Sequence, residues 1–220
     1  MDFAFFHWLF GVLFVAGFGF SIWRAIQQGK QGRANLIKLA DALGLNVNRE
    51  PSSNGFLSDA LRANGTRRGR YLQVFGFSTG SGKSRTQWSA VSAVAPAAGG
   101  LTFHLRRQGF STKFMEIFGA KEIVVGDVEF DRAWFIQTNQ PETFGAALLP
   151  ELREKITAFL RDAGNQVRGM AFKLESNEVR YVEIGNFADD KRCQRCLVAA
   201  DIVGDLAEAA DVLGQQPTGR

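Results

Sequence analysis

The sequence predicts an α+β protein: an N-terminal transmembrane helix followed by one compact domain of antiparallel β-hairpins with two packed helices. Three observations lead there. Phe3 to Trp23 is a single apolar stretch without an acidic or basic side chain. Between about residues 70 and 185, short segments alternate with period two and are separated by Gly, Asn and Ser turns. Two later segments switch to helical spacing, without the regular strand–helix alternation of a parallel doubly wound sheet.

The apolar stretch is expected to be an anchor over residues 1–26. At about 1.5 Å per residue it reaches roughly 31 Å, close to the hydrocarbon thickness of a bilayer. A cleaved signal peptide would need a basic leader and a small-residue cleavage site; here Asp2 precedes the run and Ser21-Ile22-Trp23-Arg24 ends it. Trp8 and Trp23 lie near its two ends, as interfacial indoles do. Arg24, Lys30, Arg33 and Lys38 follow it, which places the N-terminus outside and the body in the cytoplasm. The expected partners are the bilayer through residues 3–23 and anionic headgroups near Arg24, Lys30 and Arg33. A protein partner or a homodimer is expected besides; Gly17 and Ser21 form one small-xxx-small pair.

Residues 27–69 read as a juxtamembrane helix and irregular connector. Gln27 to Gly32 is polar, Leu36, Leu39, Ala40 and Leu43 recur at helical spacing, and 45–69 loses all pattern. The α+β domain spans 70–214. Tyr71–Phe77 and Gln87–Val94 read as strands around a Ser/Gly turn, and Leu101, Phe103 and Leu105 alternate with polar residues. Ile123–Val125 and Ala133–Thr138 are two further short strands. Leu148, Leu152, Ile156, Phe159 and Leu160 make a helical stripe, with Pro150 in its first turn and Gly164 at its end. Met170, Phe172 and Leu174 alternate, Ser176-Asn177 turns, and Val179–Ile184 returns. Val198, Ile202, Leu206, Ala209 and Leu213 stripe a last helix from about Asp190, with the helices on one face of the sheet. Residues 215–220 read as a disordered tail.

The net charge of +4 is modest, and part of the excess sits in Arg67-Arg68-Gly69-Arg70. No RNA-binding aromatic signature, zinc finger or basic helix occurs, so no nucleic-acid partner is expected. Two cysteines do not build a disulfide framework.

Four segments carry candidate chemistry. Gly80-Ser81-Gly82-Lys83-Ser84 lacks the first glycine of a phosphate loop, since Phe77 stands there, and strand patterns flank it; it reads as a hairpin loop and no cofactor is expected. Cys193-Gln194-Arg195-Cys196 has the spacing of a dithiol or half a zinc site, at a helix start beside Lys191, Arg192 and Arg195 that would lower a thiol pKa. Asp127, Glu129 and Asp131 alternate, and in an extended strand they would share a face able to hold a hard cation. The alternative there is a bend in which Gly126 turns the chain, Phe130 packs inward and the acids stay wet. Finally, any Ser or Cys triad would have to use His104, because His7 lies in the apolar run.

The segment Val125-Gly126-Asp127-Val128-Glu129-Phe130-Asp131, with Trp134–Asn139 and Leu148-Leu149-Pro150-Glu151-Leu152-Arg153 after it, resembles uncharacterised bacterial membrane-anchored proteins and domains of unknown function with a Gly-Asp-x-x-Phe-Asp segment. The resemblance covers about 100–164. It implies a compact α+β body on a membrane stalk and carries no catalytic residue. The expected function is a membrane-anchored interaction or accessory module. The alternative is a membrane-tethered enzyme using a metal at Asp127, Glu129 and Asp131 or the thiols of Cys193 and Cys196.

Overall fold

The structure, a computed structural model, describes residues 3–50, 60–108, 123–164 and 167–215. The side chains of residues 3–12, 49, 50 and 60 lie outside that description, as do the connector residues 51–59 and the tail residues 216–220. A long helix α1 (Phe3–Leu43) leads into strands β1 (Asn46–Glu50), β2 (Ala60–Arg67), β3 (Arg70–Thr79), β4 (Thr86–Val94) and β5 (Phe103–Arg107). A one-turn helix α2 (Val128–Ala133), strand β6 (Trp134–Thr138), and helices α3 (Pro141–Ala147) and α4 (Pro150–Ala163) follow. The hairpin β7 (Ala171–Glu175) and β8 (Glu178–Ile184) precedes the C-terminal helix α5 (Asp190–Gln215).

The eight strands form one antiparallel sheet in the order β1-β2-β3-β4-β8-β7-β5-β6. All the helical layers bury against one face. Leu72 and Val74, Val91 and Ala93, Val179 and Tyr181, Phe172 and Leu174 alternate onto that face. They meet Leu36, Leu39 and Leu43 of α1, Ile156 and Phe159 of α4, and Ile202 and Leu206 of α5. Phe159, Phe172 and Tyr181 interlock at ring separations of 5.1–5.7 Å at the centre. The α+β class, the helices on one face, Pro150 in a first turn and Gly164 at a C-cap all agree with the sequence.

The anchor is the main correction. Among the described residues no helix is long and apolar enough to cross a membrane. The apolar stretch lies at the start of α1. The helix then continues unbroken through Arg24, Lys30, Arg33 and Lys38 and ends packed on the sheet. The transmembrane span, and the single-pass placement with a cytoplasmic body that rested on it, are not retained.

Three local readings change too. Gln27–Gly32 is helical, because docking the Leu36–Leu43 stripe on the sheet holds the polar turns before it in one rod. Asn35 reinforces that docking by donating to the Phe187 carbonyl (2.9 Å) and to Asp190 Oδ1 (2.7 Å). Part of 45–69 is strand rather than connector, and Ile123–Val125 is not a strand but is tied to β6 through one bond from Ile123 N to the Ile136 carbonyl (3.0 Å).

Candidate functional site

The second face of the sheet, over which no described helix lies, holds the most site-like arrangement. Strand pairing aligns two neighbouring rows of side chains across it. One row runs Arg62, Phe75, Ala90, Val182, Ala171, Arg106, Phe135. The next runs Gln73, Ser92, Arg180, Lys173, His104, Gln137. Phe77, Trp88 and Ile184 form part of a third. Ala90, Val182 and Ala171 are small and central, so the middle of the face is a depression rimmed by large side chains.

A cleft of about 670 Å³ lies there, with Ala171 and Val182 on its floor. Phe77 and Trp88 stack in one wall at 6.0 Å and 8° between planes, and the indole N–H is spent on Thr79 Oγ1 (2.8 Å). Lys173, His104 and Arg106 stand opposite. Gly169 closes one end at φ 66°; a Cβ there would sit 2.8 Å from the Trp88 ring and 2.7 Å from Ile184, so only glycine fits.

Cationic side chains stand along this face. Arg62 and Arg180 lie over the Phe75 ring at 5.1 and 5.3 Å, and Arg106 over Phe135 at 5.2 Å. Lys173 and Arg180 each pair with a glutamate two residues along their own strand, Glu175 and Glu178, both at 2.7 Å. The hydrogen bond from Lys173 holds the Glu175 carboxyl below its ordinary range. Burial, with Arg106 and Lys173 alongside, pulls the His104 pKa down to about 4. At neutral pH the imidazole is therefore uncharged, and it is a hydrogen-bonding group rather than a further cation.

The carboxylates singled out in the sequence do not converge. Residues 128–133 are helical, so the alternation that would align them on a strand is absent. Asp127 accepts from Phe130 N (3.1 Å) as the N-cap of α2, and Asp131 accepts from Val125 N and Gly126 N, both at 3.0 Å. Glu129 points to solvent and pairs with Arg161 (2.7 Å). Among the described residues no group of three or more His, Cys, Asp and Glu is placed to hold a metal ion. Gly126 turns the chain at φ 81° and Phe130 is fully buried, the arrangement of a structural bend. Because both aspartates bond backbone amides, replacing both by alanine should cost about 1–3 kcal/mol in urea unfolding. A double variant as stable as the parent would contradict this.

Neither thiol is exposed. Cys196 is fully buried, and Cys193 lies half-buried with its thiol toward the Phe187 carbonyl (3.4 Å). Burial raises the pKa of Cys193 to about 11 and that of Cys196 well above the ordinary thiol value. This corrects the expectation that the helix start and its cations lower them: burial outweighs both. Gly82–Ser84 is a single 3₁₀ turn joining β3 to β4 in a hairpin, with no helix after it to receive phosphate.

A larger cleft, of about 870 Å³, lies between the end of α4 and the start of α5. Two of its arginines are committed to the protein. Arg192 donates to the Asn186 and Ile184 carbonyls, and Arg192 and Arg195 both pair with Glu183. The cleft on the open sheet face was missed in the sequence because its residues come from five strands. The signal was faint: Phe75, Phe77 and Trp88 fall on the outward phase of β3 and β4, where alternation calls for polar groups.

Comparison with family models, curated proteins and solved structures finds no match for this chain, so the resemblance over 100–164 rests on its own residues.

Proposed function

We propose that this chain is a binding module, acting through the cleft on the second face of its sheet on a small ligand that combines a flat apolar part with an anionic group. The observation that carries this reading is the register that places Ala171 and Val182 between the Phe77–Trp88 stack and Lys173. An apolar ring fits over the small floor and against the indole face, while an anion meets Lys173 and its row. The neutral His104 is positioned to give or take one hydrogen bond. Support for binding rather than catalysis comes from the other candidates: the thiols are held protonated, and the acidic bend spends its carboxylates on backbone amides.

The test is residue-resolved amide NMR of the full chain titrated with anilinonaphthalene sulfonate, a flat apolar anion. Shifts are expected at Trp88, Ala171, Lys173 and Val182. Lys173→Gln should weaken the affinity about tenfold, the worth of one charge-assisted contact. Shifts confined to other surfaces, or a Lys173→Gln variant that binds unchanged, would refute the reading.

A further inference from the structure

A second surface, independent of the sheet face, has a different character. Residues 205–213 of α5, helix α3 and the first two turns of α4 enclose a groove of about 760 Å³. Its floor is apolar. Leu149 and Val212 are 59 % and 55 % exposed there, beside Ala209 and Leu213, and no described helix lies over them. Ala209 and Val212 are three residues apart on α5, so they present one ridge to whatever packs alongside.

The rim is acidic on both sides, although the chain as a whole carries +4. Glu142 of α3 and Glu151 of α4 stand on one side; Asp205 and Glu208 of α5 stand on the other. Asp205 is neutralised by Arg68 (2.7 Å) and Lys155 (2.5 Å). Glu142, Glu151 and Glu208 make no salt bridge among the described residues. Three carboxylates without a salt bridge among the described residues, around exposed Leu and Val side chains, disfavour a purely apolar or an acidic partner. They favour a segment with an apolar stripe flanked by cations.

We infer that this groove docks a basic amphipathic helix of a partner protein. Apolar side chains at i, i+3, i+4 and i+7 would pack on Leu149 and Val212, and Lys or Arg on its flanks would meet Glu142 and Glu151 on one side and Glu208 on the other.

The full chain is titrated into a fluorescein-labelled helical peptide with leucines at i, i+3, i+4 and i+7 and lysines elsewhere, followed by anisotropy. Binding is expected, weakening with salt, and a peptide of the same composition in scrambled order should bind about tenfold less tightly. Glu151→Lys with Glu208→Lys should weaken the ordered peptide about tenfold or more, and Val212→Asp should do so separately. These positions are exposed, and an unchanged melting temperature confirms that the variants are folded. Equal binding of both peptides, or charge-reversal variants within about twofold of the parent, would overturn the proposal. So would a change in the chain's own sedimentation on Val212→Asp, because the occupant would then be a second copy.

Discussion

Replacing Glu183 by alanine is expected to destabilise the protein by about 3–5 kcal/mol, because it leaves buried cations without their counter-charge. The carboxylate lies on the helix-facing side of β8 and is fully buried. It takes an ion pair from Arg192 Nε (3.0 Å), hydrogen bonds from Arg195 Nε (2.8 Å) and Nη2 (3.2 Å), and a further one from the Tyr181 hydroxyl (3.0 Å). Burial first, and Glu183 second, hold the Tyr181 hydroxyl well above its ordinary pKa, so it remains a donor. The two arginines belong to the first turns of α5, and the cluster therefore ties that helix to the sheet. Urea unfolding monitored by circular dichroism measures the loss. Glu183→Gln keeps an acceptor and should lose less. Removing the cations as well, in Glu183→Leu with Arg192→Met and Arg195→Met, should recover much of it, since the desolvation penalty goes with them. A loss below about 1 kcal/mol for Glu183→Ala would mean that water solvates the cluster.

Phe130→Ala should cost about 3–5 kcal/mol through lost burial and the cavity left behind. Phe130 is fully buried on the one-turn helix α2, with its ring 6.4 Å from that of Trp134. So short a helix has no stability of its own; its Asp127 cap and the Phe130 insertion hold it. The same variant should leave the affinity of the open sheet face for anilinonaphthalene sulfonate unchanged, because Phe130 sits in the helix-side core. Thermal melting and the NMR titration together check both halves. Loss of ligand affinity without loss of stability would move the Gly126–Asp131 bend from scaffold to site.

Much of the fold follows from periodicity that anyone can count. Leu101, Phe103 and Leu105 are buried as their alternation requires, and the Leu152–Ile156–Phe159 stripe faces the sheet. Asn46–Glu50 and Ala60–Arg67 do not read as strands because, among the described side chains, only Val47, Leu61 and Ala63 join the core, and polar residues and glycine fill most other positions. Pairing of β2 to β3 and of β1 to β2, with cover from α1, makes them strands, and neither is a local property. The acidic triplet failed for a related reason: a cap bond at Asp127 tips six residues from extended to helical, and the side chains then diverge.

The amino-acid order by itself determined the α+β class, the hairpins, the stripes of α1 and α4 and the bend at Gly126, all of which depend on contacts a few residues apart. In α5 the stripe runs through Ala199, Ile202, Val203, Leu206 and Ala210, with Val198 exposed and Asp211 buried. The extent of α1 past its apolar stretch, the upward thiol shifts, the Glu183 cluster and both candidate surfaces were decided only in three dimensions. In each, the partners lie on different elements. Cross-strand register brings Trp88 and Lys173 to opposite sides of one cleft, and helix docking sets how deep Cys196 and Glu183 are buried. Burial and alignment of this kind are sums over the whole sheet, and no window of the chain contains them.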